Sequence, residues 1–418
     1  MSRIFSLKQL VPLRLRRVVG KLISWLIFAL MLVLYLFAVV PYARLERLIR
    51  LKNKRKPRII WGITSIINIR YGSLAGRLYG YKSDTVVYTV SHINQLSDFD
   101  YVIDEYVGRY IKRDNFMQRA LGVFLATYGL FLLTSLRYDI LHFYFDGGFL
   151  RNLPGHQLSL QLLHLAGKKI IVMPYGGDAR LESETKKHKY NFCLDCTPDY
   201  KFCNENEIRR RLEYMCKHCD IVLGCADLVY TLPRHDGIWQ FPLDLSEWPP
   251  APQREKSDII RVVHASNHRR YKGTRFLISA IDELKSEGYP VELVLVERMQ
   301  NREAKKIYEQ ADIIADQFIG GAYALFAVEG MALSKPVMCY LREDLYPYHP
   351  EWAECPIVNT NPDNLKEQLI KLINDSKLRH ELGKRGIEYV RKYHSLEAVG
   401  SQLDKFYRYL WNKEKKSW

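Results

Sequence analysis

The apolar positions of this chain fall into three patterns. From Leu22 to Val40 the run LISWLIFALMLVLYLFAVV has 19 residues without a charge, which at about 1.5 Å per residue approaches the roughly 30 Å hydrocarbon core of a bilayer. It predicts an N-terminal membrane-anchor helix. Beyond Pro57, RIIWGIT, DTVVYTV, DILHFYF, KKIIVMP and DIVLGC are compact runs of the kind expected for strands buried on both faces of a parallel sheet. The stretches between them are long enough for crossover helices. The charged, Pro-rich EWPPAPQREKSD (Glu247 to Asp258) breaks this alternation and reads as a linker. The alternation then restarts with IIRVVHA, VELVLVE, DIIAD and KPVMCYL. In TRFLISAIDELKSEG, Phe276, Leu277, Ala280, Ile281 and Leu284 share one helical face that ends at Gly288. The tail from Leu365 to Trp411 is amphipathic and helical.

These patterns divide the chain into residues 1–56 (anchor with basic flanks), 57–246 and 259–394 (two βα domains) and 395–418 (a C-terminal helix). A length of 418 residues suits two globular units. One further helix, Ala120 to Leu136, has 17 residues without a charge. It reads either as a buried core helix or as a helix dipping into the bilayer beside the anchor.

Charge sharpens the membrane reading. The net charge is +16, and six Lys/Arg precede the apolar run (Arg3, Lys8, Arg14, Arg16, Arg17, Lys21) while eight follow it (Arg44, Arg47, Arg50, Lys52, Lys54, Arg55, Lys56, Arg58). Clustered cations there fit anionic lipid headgroups. The heavier C-terminal flank puts the body on the cytoplasmic side; in the other arrangement both flanks stay cytoplasmic and the segment lies as a shallow anchor. A secretory signal is disfavoured, because the run is too long and Pro41 and Tyr42 follow it instead of small residues.

Two CxxC pairs, Cys193/Cys196 and Cys216/Cys219, are separated by 19 residues. Such spacing predicts a tetrahedral structural zinc clip inside the first domain, with Cys203 as a competing ligand; unligated thiols or an iron–sulfur site are the alternatives. Cys225, Cys339 and Cys355 read as core or incidental residues. A nucleic-acid-binding finger falls behind, since the basic excess belongs to the membrane flanks and no aromatic-basic stripe accompanies the pairs.

The second domain carries the candidate chemistry. In SNHRRYKGTRF a strand leads into a turn with Arg269, Arg270 and Lys272 before a helix opens at Gly273 and Thr274. Fixed cations beside a helix N-terminus suit a diphosphate, although a solvated basic turn would look the same. In GGAYALFAVEGMALSKPV, Glu329 sits among apolar and small residues, where a carboxylate usually has a ligand or partner, and could accept both hydroxyls of a ribose.

Together HASNHRRYKGTRFLISAIDEL and ADIIADQFIGGAYALFAVEGMALSKPVMCYL resemble the donor-binding half of family 4 retaining glycosyltransferases, while YDILHFYFDGG, KKIIVMPYGGDAR and CDIVLGCADLVYTLP resemble the acceptor-side strands and loops. The resemblance implies an α/β fold of the GT-B type, with two Rossmann-like βα domains facing across a cleft and a C-terminal helix crossing back to the first. It implies a nucleotide diphosphate sugar as donor, with Lys272 and Arg269 on the diphosphate and Glu329 on the ribose. Arg270, Gly320, Gly321 and Tyr323 are expected around the donor, and Gly176, Gly177 and Asp178 on the acceptor side, with Asp146 and His142 weaker candidates there, since a lone histidine in a strand such as DILHFYF is more often a core residue. No catalytic metal is expected, because the cations neutralise the leaving diphosphate. The implied activity is retaining transfer of a sugar to a lipid-linked or glycan acceptor at the cytoplasmic membrane face, building a surface glycan or glycolipid.

Three positions depart from the family pattern: Gly321 stands where a first glutamate is usual, Asn267 where an arginine is usual, and Tyr175 where many members have histidine. These departures keep two other readings open, a non-catalytic nucleotide-sugar or glycan sensor and a GT-B epimerase or hydrolase of nucleotide sugars.

Overall fold

The computed structural model describes residues 13–110, 116–151, 153–195, 204–252 and 258–418. All nine apolar runs form strands. The first sheet contains β1 (Arg58–Ile63), β2 (Lys82–Val87), β3 (Tyr101–Val102), β4 (Ile140–Tyr144), β5 (Lys169–Met173), β6 (Ile221–Gly224) and β7 (Gly237–Ile238). The second contains β8 (Ile260–Ala265), β9 (Val291–Val296), β10 (Ile313–Ala315), β11 (Val337–Cys339) and β12 (Val358–Asn359). Strand order is 3-2-1-4-5-6-7 in the first and 12-11-10-8-9 in the second, and every pairing is parallel. The expected α/β architecture is therefore present. In each sheet the order reverses once, between β1 and β4 and between β8 and β10. Connections leave in opposite directions at such a point and open a crevice at the carboxyl ends of the strands.

The helix expected after β8 runs from Thr274 to Ser286 and buries Leu277, Ala280, Ile281 and Leu284, with Phe276 half-buried. The last helix, Leu396–Asn412, is capped by Ser395, whose hydroxyl accepts from Ala398 N at 3.1 Å. It returns to the first domain and buries Val399, Leu403, Phe406, Tyr407 and Leu410 with Ile59, Trp61, Ile69 and Tyr81. The approach is close at Gly400, where a Cβ would lie 2.7 Å from the Ala75 carbonyl oxygen.

At the N-terminus, helices Leu13–Leu34 and Val40–Lys52 are joined by a π turn, Tyr35–Val39. Pro41 accounts for the turn: it has no N–H to donate and its ring crowds the carbonyl four residues back, so the ladder widens just before it. Among the described residues, one helix, Lys21–Lys52, is long and apolar enough to cross a membrane. The second apolar helix, Phe116–Arg137, has two faces. Tyr128, Phe131 and Ser135 are buried, while Leu121, Leu125 and Leu133 are about half exposed.

Because the C-terminal helix is part of the first domain's core, Phe406→Ala should cost about 3–5 kcal/mol, the usual range for removing a buried aromatic ring. Urea unfolding of the full chain in detergent micelles measures this. A loss below about 1 kcal/mol would mean that the helix does not belong to that core.

Candidate active site

A cavity of about 670 Å³ opens between the two domains. The first domain contributes Asp146 after β4, the Tyr175–Asp178 turn after β5, Arg180 and Arg211. Opposite them stand His268, Tyr271, Gln317, Tyr323 and Ala324 of the second domain. These segments follow the carboxyl ends of their strands, where parallel α/β sheets place their ligands.

On the first-domain wall the two carboxylates differ. Asp178 Oδ1 accepts from Tyr175 N (3.0 Å) and Gly176 N (2.8 Å), and Oδ2 from Phe145 N (3.1 Å). Both oxygens are thus committed to tying the turn after β5 to the end of β4. Burial nevertheless raises its pKa to about 7, with help from the neighbouring Asp146 and against those amide donors. Asp146 is also buried and also raised, chiefly by desolvation. Thr64 donates to its Oδ2, whereas Oδ1 has no hydrogen-bond partner. Arg211 Nε is likewise unpartnered on the same wall. Asp178 is therefore the residue that shapes the turn, while Asp146 keeps a buried oxygen without a hydrogen-bond partner beside it.

On the second-domain side, Lys272 Nζ lies 2.6 Å from Asp316 Oδ1, and Asp316 is fully buried at the end of β10. Asp316 Oδ2 accepts from Ala324 N at 3.2 Å, so the same carboxylate holds the start of the helix Leu325–Ala332 that carries Glu329. Glu329 accepts from Asn301 Nδ2 at 3.2 Å. Burial raises its pKa to about 8, opposed by the Asn301 hydrogen bond and the charge of Lys272 and reinforced by Asp316. Neither Lys272 nor Glu329 lines this interdomain cavity. They stand behind its second-domain wall, and the cluster reaches through Asn301 to a second cavity of about 450 Å³ lined also by Arg70, Tyr71, Trp248 and Gln300.

The structure thus brings Lys272, Glu329 and Asp316 together. Asp316 is absent from the sequence-based candidates, although it ends the apolar run DIIAD at the carboxyl edge of a strand, and that position was the available signal. Arg269 is not part of the cluster: its guanidinium forms a bidentate pair with Glu297 (2.6 and 2.9 Å) and is half exposed. Arg270 follows it in the short helix Arg269–Lys272 and does not line the cavity. Tyr323 does line it, with its hydroxyl 3.0 Å from both Tyr389 Oη and His394 Nε2. Gly320 admits Phe192 of the first domain, whose ring would lie 2.2 Å from a Cβ there. Gly321 has φ +83°, and a Cβ would lie 2.6 Å from the Arg342 side chain. The departure from the family glutamate is therefore built in, because backbone and Arg342 together exclude a side chain at this position.

One expectation is corrected and another is left without support. His142 is a core residue and not an acceptor-side one. It stacks on Trp61 with ring centroids 3.6 Å apart, its Nε2 is 2.9 Å from Tyr407 Oη, and burial pushes its pKa well down. The zinc clip also lacks support. Cys196 lies outside the described residues, Cys193 lines the large cavity, and Cys216 and Cys219 pack into the apolar core of the first domain. Burial pushes the Cys216 thiol up to about 11 and raises the Cys219 thiol well above its usual value. Among the described residues no group of three or more His, Cys, Asp or Glu is placed to hold a metal.

No protein-family model matches the chain. It is 24% identical over 324 residues, 75% of this chain and 82% of the other, to an uncharacterized glycosyltransferase of Methanocaldococcus jannaschii. Its structure matches sucrose-phosphate synthase from Thermosynechococcus elongatus with a TM-score of 0.57, at 14% identity, over 86% of this chain and all of that one. The fold is GT-B. HepE of Anabaena, solved in complex with UDP-glucose, matches with a TM-score of 0.52 at 10% identity, over 84% of this chain and 99% of that one.

The two raised carboxyls make stability depend on pH. Folding lifts Glu329 from 4.5 to about 8 and Asp178 from 3.8 to about 7, so the folded state holds their protons longer. Their contribution is complete below the unfolded values near 4 and is lost as pH rises through 7 to 8. Glu329→Gln, which mimics the protonated carboxyl, should flatten the fall in Tm between pH 5 and 8.5. Parallel profiles for the variant and the parent chain would remove Glu329 from the titration.

Proposed function

We propose that the chain is a retaining glycosyltransferase that moves a sugar from a nucleotide diphosphate sugar to a lipid-linked or glycan acceptor at the cytoplasmic face of a membrane. The observation that carries this reading is the interdomain cavity, which has Asp146 and the Tyr175–Asp178 turn on one wall and the Lys272–Asp316–Glu329 cluster behind the other. The glycosyltransferase of M. jannaschii and the UDP-glucose complex of HepE support it.

In this reading Lys272 grips the donor diphosphate and Glu329 accepts the ribose hydroxyls. Arg269 contributes only by releasing Glu297. The bond from the anomeric carbon to the β-phosphate oxygen breaks, and the acceptor hydroxyl oxygen bonds to the same face of that carbon. Its proton passes to the leaving phosphate. Lys272 stabilises the charge that develops on the diphosphate, which makes catalysis independent of a divalent metal. Asp146 lines the acceptor side of the cavity, and the Asp178 turn forms the wall beside it. The apolar N-terminal helix supports the membrane location.

The competing reading is a sensor that binds nucleotide sugars without turnover, favoured by the pairing of Lys272 with Asp316 and by Gly321. Incubation with labelled nucleotide sugars and a membrane extract separates the two. Transfer gives free nucleoside diphosphate in step with labelled lipid or glycan, with Lys272→Ala lowering kcat by about 10²- to 10³-fold and Glu329→Gln weakening binding of the preferred diphosphate in a thermal-shift panel. A thermal shift with no release of diphosphate sinks the transfer.

A further inference from the structure

The helix read as an anchor is fastened to the body of the protein along the very stretch that would have to cross the bilayer. Phe28, Met31, Tyr35, Val39 and Ala43 are buried in the core of the first domain. The Tyr35 hydroxyl donates to Leu162 O at 3.0 Å, and Tyr35 packs on Phe131 with centroids 5.2 Å apart. Phe28, near the middle of the apolar run, fits against Gly155, where a Cβ would collide with its ring. Gly155 caps the short 3-10 helix His156–Leu158, whose three residues are exposed. Were residues 22–40 to stand across the membrane, the exposed polar side chains of His156 and Gln157 would sit near mid-depth in hydrocarbon, where such groups are costly.

The opposite side of the helix is apolar and open. Leu22, Leu26, Leu30, Phe37, Leu45 and Leu48 are all more than half exposed. From Leu22 to Ile49 this side extends about 40 Å at 1.5 Å per residue, longer than a hydrocarbon core is thick. The helix Phe116–Arg137, packed beside it, adds half-exposed Leu121, Leu125 and Leu133. Cations flank the surface: Lys21 at one end and Lys52, Lys54, Arg55 and Lys56 at the other are exposed. An apolar side rimmed by cations matches the boundary between acyl chains and anionic headgroups.

We infer that the helix pair forms a composite face that lies in the plane of an anionic bilayer, so that the protein sits on one leaflet with both ends of its N-terminal helix on the same side. This inference rests on the membrane location proposed above and is independent of the transfer chemistry. An N-terminal epitope tag on the full chain, with protease applied to intact spheroplasts and then to lysed ones, tests it. The protein should pellet with membranes and the tag should survive until lysis; loss of the tag from intact spheroplasts means a spanning helix and overturns the inference. In parallel, Leu125→Asp/Leu133→Asp, on the second helix, should weaken binding to vesicles containing phosphatidylglycerol about tenfold at unchanged Tm, and unchanged binding overturns the composite face. Recovery of the parent chain wholly in the soluble fraction would defeat the membrane location itself, with any release of nucleoside diphosphate unaffected.

Discussion

The chain passes between its two domains twice, and the two passages are fastened to each other at His394. Its carbonyl accepts from Leu243 N at 2.7 Å, its Nδ1 meets Phe241 O at 3.0 Å and its Nε2 meets Tyr323 Oη at 3.0 Å. Full burial lowers its pKa to about 4, so the ring is neutral and works as a fixed hydrogen-bonding connector. One end of this arrangement anchors the outgoing strand of chain, another holds a tyrosine on the cavity wall, and the following residue starts the helix that completes the first domain's core. Width and register of the crevice depend on this junction, since neither lobe can shift without disturbing contacts that belong to both.

Polar contacts from distant parts of the sequence also close the lobes around the crevice. Lys189 and Tyr190 reach Asp363 (2.7 and 2.6 Å), and Arg275 reaches Asp195 at 3.0 Å. These groups are largely exposed, so each pair adds little stability. Their role is geometric, limiting how far the lobes open. The buried apolar packing of the C-terminal helix provides the cohesion.

The strands were legible because a strand buried on both faces must be apolar throughout, and nothing else in the chain has that short, uninterrupted texture. The two-residue strands β3, β7 and β12 carry no such signal, since they are too short to show a period. Lys272 and Glu329 stand out in the sequence through the turn and the helix that hold them. Asp316 does not, because its importance comes from parallel pairing, which puts the end of β10 beside the turn after β8. A CxxC pattern likewise records separation along the chain and not direction: Cys216 and Cys219 are directed into an apolar core by the helix that bears one of them and ends at the other. His142 lies in an apolar strand and was resolved only when Tyr407, 265 residues away, supplied its partner.

Asp316 also explains how the helix bearing Glu329 keeps its order with Gly321 ahead of it. A glutamate at position 321 would have to adopt positive φ and displace Arg342, which is itself held by Asp344 at 2.9 and 3.0 Å and lies over Tyr230. The backbone there follows a path that only glycine takes comfortably, and Arg342 N donates to Gly321 O at 2.9 Å to fix it. Orientation of the helix bearing Glu329 falls instead to Asp316, which grips Ala324 N with one oxygen and Lys272 with the other. A single buried carboxylate thereby sets the positions of a cation and a second carboxylate at once. An anion arriving at Lys272 would compete with Asp316 for it, so binding on the second lobe is coupled to the first turn of the helix beneath Glu329.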